Sequence, residues 1–112
     1  GDLRTHFEVE EKIIFPAMSQ IEEASGVIEQ LIKEHRDISK LVQQLRRARG
    51  LRLSPLLHKF ADLLEAHIRK EERVLFPSYE RNISPQKAGQ VKIQVLEIIG
   101  SAMKPKHPML LE

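Results

Sequence analysis

HFEVEEKIIFP at His6–Pro16 and HIRKEERVLFP at His67–Pro77 decide how this chain is read. Set in register sixty-one residues apart, the two stretches agree at five positions: His6 with His67, Glu10 with Glu71, Glu11 with Glu72, Phe15 with Phe76 and Pro16 with Pro77. In each copy a histidine and a glutamate stand four residues apart. That is one turn of an α-helix, so the two side chains project together from one face. The same face is the apolar one. Leu3, His6, Glu10, Ile13 and Ala17 share a stripe in the first copy, and Leu57, Phe60, Leu64, His67, Glu71 and Val74 share one in the second.

Working outward, the helical period continues along the whole chain. Between the copies, Ile28, Leu31, His35, Ile38, Val42 and Leu45 form a third stripe, which Gly50 should close. After them, Ala88, Val91, Val95, Ile98 and Ala102 form a fourth, fading before Pro105. Ser54-Pro55 and Ser84-Pro85 each read as a capping serine followed by a first-turn proline. Near the start of the second helix, a capping box from Ser19 to Glu22 competes with a break at Gly26. The helices are expected at roughly 2–18, 25–48, 55–81 and 85–103, with a tail over 104–112. Nothing reads as a strand. The expected fold is all-α: a single domain over residues 1–112, built as an antiparallel up-down four-helix bundle.

Composition agrees with a small globular domain. Of 112 residues, 41% are hydrophobic and 30% charged, while aromatics reach only 4%, so the core is aliphatic. Cysteine is absent, which removes disulfides, thiolate nucleophiles and sulfur-ligated metals together. The net charge of +2 is too small to argue for nucleic acid. The densest basic run, RRARGLR at Arg46–Arg52, reads as a solvated helix end. No apolar run reaches membrane-spanning length and no signal peptide is visible, so neither a membrane nor a nucleic-acid partner is expected and a cytoplasmic location is.

The polar residues on the apolar stripes carry the functional argument. His6, Glu10, His35, His67 and Glu71 interrupt three stripes at matching depth. A buried carboxylate is costly unless it is partnered, and five such groups in one small core call for a common partner. Imidazole and carboxylate without sulfur suit non-haem iron or manganese, with zinc less favoured. A single H-x-x-x-E is usually a surface pair, and a lone core histidine is usually hydrogen-bonded. The repetition outweighs those readings here. Glu11 and Glu72 lie one helical step, about 100°, off the stripe and should face solvent or support the ligands from outside rather than bridge metals. His58 reads as a surface residue and His107 as part of the tail. Phe15 and Phe76 should pack at the bundle end, and Pro16 and Pro77 should kink or end their helices.

HFEVEEKIIFP, the EHRDI around His35 and HIRKEERVLFP resemble the hemerythrin-like, or HHE cation-binding, family over roughly residues 3–103. The likeness is greatest to the bacterial branch linked to nitric-oxide stress and iron-centre repair. The resemblance implies a four-helix bundle holding a diiron centre. It implies that Glu10 and Glu71 bridge the irons, that His35 and His67 terminate one, and that His6 helps terminate the other. An open coordination position would meet oxygen, nitric oxide or peroxide. One departure is plain: the family's first helix, with its histidine, has no counterpart before His6. Truncation, replacement by the Ser84–Met103 helix, or completion by a second chain in a homodimer would each account for it. Each weakens the expectation that this chain holds a full diiron site on its own.

Three functions from different classes follow. The leading one is a domain that binds or senses iron, oxygen or nitric oxide, as part of a longer protein. The second is a diiron enzyme of nitric-oxide or peroxide stress or of iron-centre repair, although no acid, base or substrate pocket is identifiable. The third is a metal-free helical interaction module.

Overall fold

The computed structural model describes residues 2–102, and every element among them is helical, with no strand. The expected tail at 104–112, with His107, lies outside the described residues, as does Met103 at the expected end of the last helix. Four helical runs follow one another. α1 covers 2–17, α2 is Glu22–Arg47, α3 covers 53–82 after a 3-10 turn at Gly50–Arg52, and α4 is Pro85–Ala102. No helix among the described residues is long and apolar enough to cross a membrane.

These residues group into two compact units: residues 2–20 with 83–102, and residues 21–82. In the first unit α1 packs against α4, and Phe7, Ile13, Phe15, Met18 and Val91 are buried. In the second, α2 packs against α3, with Ala24, Leu31, Ile38, Leu41, Ala48 and Leu75 buried. The pair is antiparallel, since Glu23 near the start of α2 bonds to Ser78, Arg81 and Asn82 near the end of α3.

The two repeated motifs share a feature that periodicity alone does not reveal. α1 and α3 each widen into a π-turn, at Glu10–Ile14 and Glu71–Leu75. The N–H of Phe15 donates to the Glu10 carbonyl, and the N–H of Phe76 to the Glu71 carbonyl, each five residues back. The cause stands at the next residue. Pro16 and Pro77 have no N–H, and a proline ring clashes with the carbonyl four residues earlier. A wide turn just before the ring absorbs that mismatch. Pro77 therefore does not end its helix, which runs on to Asn82, whereas α1 stops at Ala17, one residue past Pro16.

The wide turn also changes which side chains are covered. In α3, Leu75 is fully buried, while Val74, expected on the stripe, is exposed. Phe76 is 42% exposed and does not serve as the expected end-packing residue, whereas Phe15 does become buried. The drift is smaller in α1, where Ile13 stays on the buried face.

Helix ends follow local chemistry. Ser84 caps α4, its Oγ accepting the Lys87 N–H at 3.2 Å. Ser54 does not play that role, because the 3-10 turn feeds straight into a helix that already begins at Leu53. Pro55 is tolerated there because first-turn N–H groups have no helical acceptor. Gly50 adopts φ 60°, a left-handed conformation that glycine takes without steric cost. Gly26 breaks nothing; α2 begins earlier, at Glu22, and runs through it.

The Glu23 junction closes one end of the α2–α3 pair, tying the start of α2 to the end of α3. Its Oε1 accepts hydrogen bonds from Ser78 Oγ at 2.9 Å, Arg81 Nη2 at 2.9 Å and Asn82 Nδ2 at 2.8 Å. These bonds, led by that of Ser78, hold the Glu23 carboxyl below the usual carboxylate range. A carboxyl with a depressed folded-state pKa stabilises the fold above its unfolded pKa, and that contribution is lost as the pH falls through the folded value. Denaturant titrations of the parent and Glu23→Gln should therefore differ at neutral pH and converge in acid, below the ordinary carboxylate range. A difference that stays constant with pH would contradict this.

Candidate metal centre

Within the second unit, α2 supplies His35 and α3 supplies His67 and Glu71. Leu31 and Ile38 bury the turns either side of His35, so the stripe carries that imidazole inward. His67 is the one buried residue of the straight part of α3, and Glu71 opens the π-turn one helical turn further on. All three are buried, His67 at 1% and Glu71 at 3% exposure. Each offers a ligand atom within 4.8 Å of those of the other two. The rings of His35 and His67 tilt towards one another, with centroids 4.8 Å apart.

The orientation of His67 is set from behind. Its Nδ1 lies 2.9 Å from Glu34 Oε1. Lys70 Nζ donates to the other oxygen, Glu34 Oε2. Burial works to raise the Glu34 carboxyl, but the hydrogen bonds from Lys70 and then His67 outweigh it and hold it below the usual carboxylate range. An ionised carboxylate can only accept, so Nδ1 carries the proton. In the neutral ring the lone pair is then on Nε2, and Nε2 lies 3.6 Å from Glu71 Oε2. Two electron-rich atoms that close together, in a buried place, favour a cation between them.

The donor set fits a metal. Two imidazoles and a carboxylate, with no sulfur, suit iron, manganese or zinc. A ligating histidine whose second nitrogen is fixed by a carboxylate is the usual arrangement around such ions.

The other two expected ligands belong to the first unit. Glu10 is buried and opens the π-turn of α1, as Glu71 opens that of α3. His6 lies one turn before it, with Nε2 3.5 Å from Glu10 Oε2, but its side chain is 51% exposed. Glu11, Glu72 and His58 are exposed. The sequence reading missed Glu34 and Lys70. Both stand one helical step off an apolar stripe, so periodicity gives them no signal; only the packing of α2 on α3 brings them to His67.

With this geometry in view, the comparisons are specific. The hemerythrin HHE cation binding domain matches residues 1–88. The chain belongs to that family. The two repeated stretches, the EHRDI between them and the buried trio all fall within the matched residues. A curated relative, a DNA nickase of Nostoc sp., is 27% identical over 96 residues, covering 80% of this chain and 26% of that protein. The HHE chain thus spans about a quarter of the length of the relative it matches. No solved structure gives a significant match.

Proposed function

We propose that this HHE domain binds non-haem iron, as a diiron centre, and serves to bind or sense oxygen, nitric oxide or peroxide. The observation that carries the reading is the buried trio of His35, His67 and Glu71, with the His67 ring turned so that Nε2 faces Glu71. Glu10 is the fourth ligand in this proposal. It is buried, and in its motif it holds the place that Glu71 holds in the second copy. His6 is the fifth, joining by a rotation of its half-exposed side chain on metal binding. The whole chain then acts as one domain, an antiparallel up-down bundle whose ligands come from three helices. Iron bound here would supply redox chemistry and an open position for a small ligand. The chain's own residues bury Glu10, His35, His67 and Glu71, exclude water from them and orient the His67 ring.

The absence of cysteine fits a reducing compartment, so a cytoplasmic location belongs to the same reading. The likeness to a quarter of a DNA nickase supports a module that accompanies other domains. No step on nucleic acid is assigned to these residues.

The test is anaerobic loading with ferrous iron, removal of excess, and metal analysis per chain. About two irons are expected, the loading of a di-iron bundle, with a rise in melting temperature because a ligand of the folded state stabilises it. A folded protein that retains no iron and melts unchanged would end the proposal.

A further inference from the structure

We propose that Glu34, held in place by Lys70, is the positioning residue that presents His67 Nε2 to the metal. The inference rests on the metal reading but has a metal-free test.

The geometry is specific. The two oxygens of one carboxylate are engaged by different partners, Oε1 by His67 Nδ1 and Oε2 by Lys70 Nζ. Both partners sit on α3, three residues apart and on one side of the helix. Glu34 itself is on α2, next to His35. A carboxylate gripped at both oxygens cannot rotate freely, so the ring it holds cannot flip. The same contact locks the register of α2 against α3, and so brings His35 level with His67. Glu34 thereby acts on two metal-facing histidines: on one by its neighbour in sequence, on the other by a hydrogen bond.

The charge has a second effect. A carboxylate on Nδ1–H pushes electron density towards Nε2 and raises its basicity as a ligand. Lys70 tempers this by sharing the negative charge. A merely structural ion pair between two helices would join α2 to α3 without setting the tautomer, and that difference is measurable.

The experiment uses the full chain and two probes. The first is the long-range proton–nitrogen NMR spectrum of the histidines in the metal-free protein. The second is Co²⁺, its affinity read by competition with a chelator and its site by visible absorption. The parent should show His67 protonated on Nδ1. Glu34→Ala should mix the tautomers, shift the cobalt spectrum and lower cobalt affinity about 10–100-fold, the usual cost of losing such a partner. Glu34→Gln keeps a carbonyl acceptor of the same shape. It should keep the tautomer and lose less affinity, yet fall measurably below the parent.

Parental tautomer and parental affinity in a folded Glu34→Ala protein would overturn the proposal. If Glu34→Ala does not fold, Glu34→Gln with parental affinity would do so. A parent that takes up no cobalt counts against the metal reading, and the metal-free tautomer then decides the role of Glu34 by itself.

Discussion

Glu71→Met should abolish tight metal uptake and leave the metal-free protein at least as stable as the parent. The two halves of this expectation have one cause. Glu71 is 3% exposed, and its Oε2 lies 3.6 Å from His67 Nε2. Desolvating a carboxylate costs several kcal/mol in practice, and its interactions in a metal-free core offset that cost only in part. A bound cation reverses the balance, because carboxylate and imidazole then share a positive centre. Methionine is close to glutamate in volume, adapts to irregular space and has no charge to desolvate. Replacing buried charge by apolar volume is often neutral or stabilising by about 1–4 kcal/mol. Denaturant titrations with and without metal test both halves together. The parent should gain about 2.7 kcal/mol when the free metal is a hundred times its dissociation constant, and the variant should gain nothing. A variant that metal still stabilises as it does the parent would remove Glu71 from the ligand set. A variant much weaker than the parent without metal would show that Glu71 serves the fold instead.

How much of this was legible beforehand differs from residue to residue. The all-helical class is readable because apolar residues recur at three- and four-residue steps along each of the four stripes between Leu3 and Ala102. Ser84-Pro85 was readable because its cap is purely local: one hydroxyl reaching an N–H three residues on. Burial of Glu10, His35, His67 and Glu71 followed from stripes on which polar residues replaced apolar ones. What failed depended on a change of helical geometry or on packing. The stripe was drawn with 3.6 residues per turn, so it placed Val74 inside and had no reason to leave Phe76 out. The π-turn forced by Pro77 moved Leu75 in instead. Pro77 is visible in the sequence, but the widened turn that it imposes just before itself is not. Ser54 is no cap because a 3-10 turn, which no cap announces, brings the helix in two residues earlier. Glu34 and Lys70 had the right chemistry in plain view, inside EHRDI and just before Glu71. Their meeting depends on the depth at which α2 lies on α3, and a single sequence does not state that depth.

Leu31→Ala should be among the most damaging single changes to the fold, costing about 2–5 kcal/mol, the range for deleting a buried leucine side chain. Leu31 is fully buried, one turn before His35, with Ile38 equally buried one turn after it. Together they hold the stripe that carries the imidazole inward. A domain of this size has about 5–15 kcal/mol in total, so the loss would be a large share of it. Leu57→Ala is the control. It sits on the stripe read from the sequence, yet Leu57 is 48% exposed, so the same chemical change should cost about 0.5 kcal/mol or less. Denaturant midpoints of the two variants would separate a stripe that is apolar by pattern from one that is apolar by burial. The two should also respond to metal in the same way. The ligands stand on backbone that neither substitution breaks, so each folded variant should gain as much stability from metal as the parent does. A Leu31→Ala protein that loses the metal response while remaining folded would mean that core packing around His35, and not the donor set alone, holds the site in register.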